Sequence, residues 1–255
     1  MNFSYSVISN IGFLRKNNED FAEVFKYPEG ILAIVCDGLG GTSAGEFASR
    51  KTAELINQAF KKNSSEKDYL ERIKSAIEFA NRNIFHLAKT EFKYFGMSST
   101  VEVVFLNDSF IYWGHIGDSR IYYFHSGRLK LLTKDHSFVQ QLVDEGNIAP
   151  KDILTHPKKN VIINAIGNSL NPKIDLSKTR LDEEGRCKIL ICTDWVSSVV
   201  DDIEIENILA HNQLGQAAEK LVNKVETAGA PDNFSLIILQ RNWRWQGKNF
   251  IIIGY

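Results

Sequence analysis

The sequence predicts an α+β domain with largely antiparallel sheets and helices packed outside them. Three observations favour this class: strand-like apolar runs open the chain, two long amphipathic helices follow, and the later strands and helices do not alternate strictly. A doubly wound parallel fold would alternate strand and helix throughout. The chain has 255 residues, 44% of them hydrophobic, which is enough to bury a sizeable core in one large domain or two small ones.

The first half of the chain begins with three strand patterns and continues with two helices. Phe3, Tyr5 and Val7 alternate with polar residues, as in a strand with one buried face. The runs FAEVF and ILAIVC flank the turn YPEG and predict a hairpin. Apolar residues at helical spacing then predict one helix over EFASRKTAELINQAF and a second that starts near Glu66, both with core-facing stripes.

The second half mixes strands and helices. The runs STVEVVFL, SFIYWGHI, SRIYYF and LKLLT read as strands, the last after the turn HSGR. DHSFVQQLVDEG predicts a helix capped by Asp135 or Ser137 and ended at Gly146. After a looser stretch, CKILICT predicts a strand, IEIENILAH and LGQAAEKLVNKVETAG predict helices, and NFSLIIL predicts a final strand.

Composition excludes several functional classes. The formal net charge is −1, which disfavours a broad surface for nucleic acid or membrane. The three cysteines are too few and too widely spaced for a disulfide framework or a zinc pattern, and we expect Cys36 and Cys192 to be buried thiols. No signal-peptide pattern or long apolar span is present, so a cytoplasmic location is expected.

Acidic residues stand at the ends of the predicted strands. They are Glu19 and Asp20 before FAEVF, Asp37 after ILAIVC, Asp118 between two strands, Asp194 after ILICT, and Asp232 before FSLIIL. Any one of them could be a turn or cap residue, but NED, DGLGG, GDSR and PDN also pair the acid with a small or amide residue. If several converge they repel one another unless a cation lies between them, and oxygen-only ligands suit Mg²⁺, Mn²⁺ or Ca²⁺.

The glycine-rich segment VCDGLGGTSAGEFAS fits such a metal site. Gly38 would allow its own carbonyl to approach a metal, and Gly40 and Gly41 would allow the chain to turn away. A phosphate-binding nucleotide loop is the rival interpretation. The sequence has neither of the standard glycine-rich nucleotide motifs, which disfavours it.

Eight motifs, in order, are similar to those of one protein family. They are SNIGFLRKNNED, VCDGLGGTSAGEFAS, GMSSTVEVVF, GHIGDSRIYYF, LTKDHSFVQQLVDEG, HPKKNVIINAIG, ILICTDWVSSVVDDIEI and AGAPDNFSLIIL. On these motifs the chain resembles the bacterial metal-dependent serine/threonine protein phosphatases of type 2C, the PPM family. The resemblance implies a four-layer α-β-β-α sandwich of two antiparallel sheets flanked by helices.

The resemblance also implies a domain division. The catalytic domain would cover residues 1–242. It would include a variable flap, at about 147–186, that lies beside the active site and helps set substrate choice. Residues 243–255 would form a C-terminal extension of unknown role.

The resemblance carries metal-ligand roles onto residues of this chain. Asp37 would bridge two ions of Mn²⁺ or Mg²⁺, and the backbone carbonyl of Gly38 would ligate one of them. Asp194 and Asp232 would ligate the other ion of the pair. Asp118, together with Asp194, matches the ligands of a third, weaker metal.

Three further roles follow from the same resemblance. Glu19 would act on the metals mostly through water, and Asp20 would support the ligands from behind. Arg15 stands where the family keeps a phosphate-binding arginine, and a guanidinium fork matches two phosphate oxygens at once.

The implied activity is hydrolysis of phosphoserine and phosphothreonine in proteins. Two ions would acidify a bridging water, and the resulting hydroxide would attack phosphorus without a covalent enzyme intermediate. The substrates would be phosphorylated proteins, with a bacterial Ser/Thr kinase as the opposing partner. A monomer that binds no nucleic acid or membrane is expected.

Several positions depart from the family pattern. Trp195 stands where a glycine follows the aspartate, Ser98 where a glycine is common, and Thr42 where a histidine is common. Leu39 replaces a histidine found in some members. His136 is expected to orient the start of a helix rather than to catalyse.

These departures leave two alternatives open. One is a pseudophosphatase or phosphoprotein-binding regulator with weak or no turnover, against which the retained acids argue. The other is a metal-dependent nuclease or other phosphodiesterase, which the near-neutral charge disfavours.

Overall fold

The structure is a computed structural model, and it describes residues 3–40, 43–181 and 187–241. The expectations for Gly41, Thr42 and the extension 243–255 lie outside these residues. None of the described helices combines the length and apolar character needed to cross a bilayer.

The described residues contain eleven strands. These are β1 (Phe3–Asn10), β2 (Asp20–Tyr27), β3 (Gly30–Leu39), β4 (Ser98–Ser99), β5 (Val101–Leu106), β6 (Phe110–Ile116), β7 (Arg120–His125), β8 (Arg128–Leu131), β9 (Asp175–Arg180), β10 (Cys187–Cys192) and β11 (Phe234–Arg241). They also contain six α-helices. These are α1 (Ser43–Lys62), α2 (Tyr69–Thr90), α3 (Phe138–Asp144), α4 (Asp194–Val199), α5 (Asp202–His211) and α6 (Leu214–Thr227).

The strands form two sheets in which all neighbouring strands are antiparallel. One sheet has the order β1-β11-β10-β7-β8, and the other has the order β2-β3-β5-β6-β9, with β4 paired to β3. The predicted hairpin between β2 and β3 is present and closes with Tyr27 opposite Gly30. The antiparallel prediction is therefore confirmed.

Three apolar clusters separate four layers. Ile31, Val104, Ile189 and Ile237 belong to the cluster in which inward-facing residues of both sheets meet. A second cluster joins α1 and α2 to the sheet that contains β3, and a third joins α4, α5 and α6 to the sheet that contains β10. The predicted α-β-β-α arrangement is confirmed, and the predicted buried thiols are buried.

Capping decides where two helices begin. The Asp68 side chain accepts a hydrogen bond from the Leu70 backbone N–H, so α2 begins at Tyr69 rather than near Glu66. At α3 the Ser137 hydroxyl accepts from the Gln140 backbone N–H. Ser137 is therefore the N-cap of α3, and Asp135 has another partner, Arg120.

Two elements have no signal that the sequence analysis recognised. β9 carries the polar sequence DLSKTR, because it pairs only with β6 at the edge of its sheet and buries little apolar surface. α4 is only six residues long and starts directly after β10, too short for helical periodicity to be read.

A buried acid–histidine pair sits in the sheet between β5 and β6. Glu102 lies directly opposite His115, both are fully buried, and Glu102 Oε1 is 2.9 Å from His115 Nδ1. His115 Nε2 is 3.0 Å from the Lys134 carbonyl oxygen, which can only accept, so Nε2 carries a proton. Burial raises the pKa of Glu102 and lowers that of His115, which favours a protonated glutamic acid that donates to a neutral imidazole.

This pair predicts a pH-dependent effect of Glu102→Gln, since a glutamine amide can donate to Nδ1 as the protonated acid does. In the folded wild type, Glu102 stays protonated at pH values at which the same residue in the unfolded chain, with its ordinary pKa of 4.5, has lost its proton. The free energy of unfolding of the wild type therefore falls as pH rises above 4.5. E102Q has no such proton. Relative to the wild type, the free energy of unfolding of E102Q should therefore rise by up to about 1.4 kcal/mol per pH unit above the unfolded value of 4.5, until pH reaches the folded pKa of Glu102.

Urea unfolding of both proteins at pH 6, 7, 8 and 9 measures this difference. A constant loss of about 3 kcal/mol or more in E102Q across the range would instead indicate a buried ion pair.

Candidate active site

One cavity of about 300 Å³ lies at the end of the sandwich where the predicted acids gather. All eight residues singled out from the sequence line it: Arg15, Glu19, Asp20, Asp37, Gly38, Asp118, Asp194 and Asp232. Six further residues complete the described lining: Leu39, Gly40, Asn160, Ile162, Trp195 and Asn233. The fold therefore brings together residues as distant in the chain as Arg15 and Asp232, which are 217 positions apart.

Both sheets contribute acids to this cavity. Asp20 begins β2 and stands directly opposite Asp37 of β3 in the strand register. Asp194 follows β10 and starts α4, while Asp232 precedes β11. Asp118 lies in the turn between β6 and β7. The strand ends that carry the predicted acids therefore lie together at one end of the two-sheet sandwich.

Thr193 joins the two sheets behind the acids. Its hydroxyl donates to Asp20 Oδ2 over 3.0 Å and accepts from the Ser235 backbone N–H over 2.9 Å. Its backbone N–H donates to the Ser235 carbonyl over 3.0 Å. Asp20 on one sheet is thus connected to β10 and β11 on the other, and this contact sets how far apart the two groups of acids stand.

Thr100 positions Asp37. The Asp37 backbone N–H donates to Thr100 Oγ1 over 2.9 Å, and the Thr100 backbone N–H donates to the Asp37 carbonyl over 2.8 Å. Thr100 Oγ1 also lies 3.1 Å from Ser119 Oγ, next to Asp118. Thr100 therefore connects Asp37 to Ser119, the residue that follows Asp118.

Asn233 holds the loop that carries Arg15 and Glu19. Its side-chain oxygen accepts from the Glu19 backbone N–H over 2.8 Å, and its amide donates to the carbonyls of Ile11 and Asn17 over 2.7 and 3.0 Å. The sequence analysis noted the amide in PDN but assigned it no role. A side chain with two donors and one acceptor can satisfy three backbone groups of an irregular loop at once.

Arg15 is paired directly with Asp232. Its Nη2 lies 2.5 Å from Asp232 Oδ2, and the other carboxylate oxygen accepts from the Asn233 backbone N–H over 2.8 Å. The hydrogen bond to Asp232 raises the pKa of Arg15 against the effect of desolvation. Arg15 supplies the single positive charge among the described lining residues.

Burial and neighbouring charges raise the pKa values of several acids in the cavity. Burial, followed by the charges of Asp20, Asp194 and Asp118, raises the pKa of Asp37 well above its ordinary value. Burial raises the pKa of Asp20 to about 7, with Thr193 acting in the opposite direction. Burial and the charge of Asp232 raise the pKa of Asp194 to about 6. This is the behaviour of carboxylates that lack sufficient positive charge nearby.

Two carboxylate oxygens in the site lack a partner. Glu19 Oε1 and Asp118 Oδ1 are buried without a hydrogen bond, which is costly unless a cation or water meets them. Among the described residues, no three carboxylate, imidazole or thiolate groups already stand at the spacing of a metal-binding group. The all-oxygen donors fit Mg²⁺ or Mn²⁺ chemically.

Gly38 is required by close packing. A Cβ at this position would lie 2.1 Å from the Gly45 carbonyl oxygen and 2.6 Å from the Glu19 carbonyl oxygen. The Gly38 backbone N–H also donates to that Glu19 carbonyl over 3.0 Å. Gly38 therefore leaves no room for a side chain, while the predicted approach of its own carbonyl to a metal stays a prediction.

Trp195 adopts an ordinary helical backbone at the start of α4. Ser126 and Ala230 are the non-glycine residues with positive φ in the described chain, so Trp195 needs no glycine conformation. Its backbone N–H hydrogen-bonds Asp194 and helps hold the pKa of that carboxyl down. Its side chain is partly buried against the core cluster under α4, so this departure from the family pattern is accommodated by packing.

The segment predicted as a flap contributes Asn160 and Ile162, which the sequence analysis did not single out. They lie between the short 3₁₀-helix Pro150–Thr155 and β9, in a stretch without regular structure. The motif HPKKNVIINAIG covers them, but no spacing rule tells which of its residues face a cavity.

Comparisons with known proteins identify the family. The family model described as protein phosphatase 2C matches residues 15–232. The chain belongs to the protein phosphatase 2C family. It is 28% identical over 243 residues to a serine/threonine phosphatase of Listeria welshimeri, covering 93% of this chain and 96% of the relative. A putative type 2C protein phosphatase of Streptococcus pyogenes is 34% identical, with coverage of 92% and 96%.

A solved relative carries metal. The catalytic domain of the serine/threonine protein phosphatase PstP, in complex with two manganese ions, matches with a TM-score of 0.78 and 28% identity, over 93% of this chain and 97% of that one. The family expectation is confirmed, and this chain is a protein serine/threonine phosphatase of the metal-dependent bacterial type.

The packing at Gly38 predicts the effect of Gly38→Ala. The added methyl group meets two backbone carbonyls that cannot move freely, so we expect a loss of about 3 kcal/mol in the free energy of unfolding. Gly215→Ala is the matched control, because a Cβ there meets nothing within 4 Å in α6. It should be neutral or stabilising by up to about 1 kcal/mol. Chemical denaturation of both variants measures this, and equal stabilities would contradict the packing argument.

Proposed function

We propose that this cavity hydrolyses phosphoserine and phosphothreonine esters of proteins, with divalent ions held by the acids that line it. One observation carries the proposal: carboxylates from both sheets and the guanidinium of Arg15 line the same small cavity. The cavity thus offers cation ligands and a phosphate-binding fork together. Retention of every acid supports turnover over a regulator that only binds phosphoproteins.

The proposed metal ligands follow the family pattern. Asp37 and the Gly38 carbonyl would hold one ion, and Asp37, Asp194 and Asp232 would hold the other. Asp118 would contribute to a third ion. When bound, two ions of Mn²⁺ or Mg²⁺ supply an acidified water near neutral pH and offset the negative charge of a phosphate.

The protein's other residues would position these groups. Glu19 would approach the ions through water, because its Oε1 is buried and has no hydrogen-bond partner. Asp20 would stay behind the ligands, because its Oδ2 is engaged by Thr193. Arg15 would exchange Asp232 for the phosphate oxygens, as a guanidinium matches either partner with two N–H groups.

The cellular proposals follow from this activity. The substrates would be phosphorylated proteins of the cytoplasm, with a Ser/Thr kinase as the opposing enzyme. A monomer would suffice, since all proposed ligands come from one chain. The division into a catalytic domain at 1–242, with its flap at about 147–186, and an extension at 243–255 stays a prediction.

Asp37→Asn tests the central ligand. We expect hydrolysis of a phosphothreonine peptide with Mn²⁺ to fall by at least about 100-fold, because the amide no longer neutralises a metal. A chelator should abolish wild-type turnover. Asp108→Asn, in an exposed turn, is the control.

Two outcomes would contradict the proposal. Turnover that survives D37N or the chelator would remove the metal mechanism. Wild-type binding of Mn²⁺ and phosphopeptide without turnover would instead support the regulator.

Arg15→Ala separates phosphate binding from metal binding. Loss of the guanidinium should raise KM for the phosphopeptide by about 10- to 100-fold. The same change removes a positive charge beside the acids, so Mn²⁺ should bind R15A more tightly. Calorimetric Mn²⁺ titration without substrate measures the second effect. Weaker Mn²⁺ binding by R15A would contradict the electrostatic account of the Arg15–Asp232 pair.

A further inference from the structure

We propose that His136 is a positioning residue that couples the flap to the active-site turn preceding Asp118 and thereby controls binding of protein substrates. The imidazole is largely buried and is absent from the cavity lining, so it acts through the residues it holds. For its kinetic consequence, this inference rests on the proposed function.

The active-site side of this coupling is a reciprocal contact with Gly117. The Gly117 backbone N–H donates to His136 Nδ1 over 3.2 Å, and the His136 backbone N–H donates to the Gly117 carbonyl over 2.6 Å. Gly117 has φ of +124°, and a Cβ on it would lie 2.5 Å from the Cβ of Thr100. The turn therefore has little freedom, and His136 fixes it directly before Asp118.

The flap side uses the same ring. Asn164 Nδ2 lies 2.9 Å from His136 Nδ1 and also donates to the Lys173 carbonyl over 2.7 Å. His136 Nε2 lies 3.2 Å from Asp175 Oδ2, at the start of β9. Because Nδ1 faces two N–H donors, it must be an acceptor, and the proton is on Nε2. Burial and the adjacent His115 lower the pKa of His136, which supports the neutral form.

Backbone pairing extends this attachment to the residues over the cavity. The Ile163 N–H donates to the His136 carbonyl over 2.9 Å, and the Phe138 N–H donates to the Val161 carbonyl over 2.8 Å. Ile162 lies between these two contacts, and Asn160 directly precedes them. The backbone around His136 thus holds the strip of flap that contributes Asn160 and Ile162 to the cavity lining.

A protein substrate must pass the flap, whereas a small aryl phosphate needs only the cavity. Loss of the His136 contacts should therefore weaken binding of a phosphopeptide and spare hydrolysis of p-nitrophenyl phosphate. Substitution by asparagine or by glutamine distinguishes the contacts of Nδ1 from those of Nε2. His136→Asn places an acceptor near the Nδ1 position, while His136→Gln places its amide nearer the Nε2 position and leaves Gly117 and Asn164 without an acceptor.

The first readout needs no activity. Tryptic cleavage at Lys151, Lys158 and Lys159 in the flap should be about tenfold faster in H136Q than in the wild type and within about twofold of it in H136N. His211→Gln, at the exposed end of α5, is the matched control and should leave cleavage unchanged. If H136Q does not fold, Asn164→Ala removes the same contact from the flap side.

The second readout is kinetic. KM for a phosphothreonine peptide should rise about tenfold in H136Q with kcat within about twofold, and kcat/KM for p-nitrophenyl phosphate should stay within about twofold. H136N should recover most of the peptide affinity.

Three results would overturn the inference: unchanged flap cleavage in both H136Q and N164A, unchanged peptide KM, or equal losses of kcat on both substrates. If the wild type hydrolyses no phosphopeptide, the proposed function fails, while the cleavage readout still tests the coupling.

Discussion

Repulsion among carboxylates is the constraint on which this structure depends. Acids from both sheets lie around one cavity with a single guanidinium among the described lining residues. Burial, followed by the charges of neighbouring carboxylates, raises the pKa values of Asp37 and Asp194. An isolated cluster of this kind would spread apart. Here the surrounding scaffold holds it, and the free energy for doing so comes from the apolar clusters between and outside the sheets.

The scaffold acts through a few polar contacts rather than through the acids themselves. Thr193 connects the two sheets at Asp20, Thr100 fixes Asp37, and Asn233 holds the loop of Arg15 and Glu19. Each of these side chains satisfies two or more backbone or side-chain groups in a buried setting, where an unmade hydrogen bond is costly. These contacts position the backbone segments that carry the acids.

The histidines extend the same arrangement away from the cavity. The rings of His115 and His136 lie in contact, with centroids 4.6 Å apart and their planes tilted by 40°. Together the two histidines connect Glu102 in the sheet to Asp175 near the surface. Neither histidine lines the cavity. Their importance lies in the backbone segments that they hold, which include the turn before Asp118 and the segment that contributes Asn160 and Ile162 to the cavity lining.

The sequence by itself determined the fold class, because apolar periodicity is a local pattern, and it pointed to the strand-end acids and to Gly38. Its eight ordered motifs determined the family by resemblance, and that resemblance added Arg15, one of the eight predicted residues that line the cavity. The sequence did not determine that β9 closes a sheet edge, that Trp195 begins a helix, or that Ser137 rather than Asp135 caps α3. Nor did it reveal the roles of Thr193, Asn233 and His136. These features depend on contacts between segments that are far apart in the chain and are brought together by strand register and sheet packing. Local sequence patterns carry no information on such contacts.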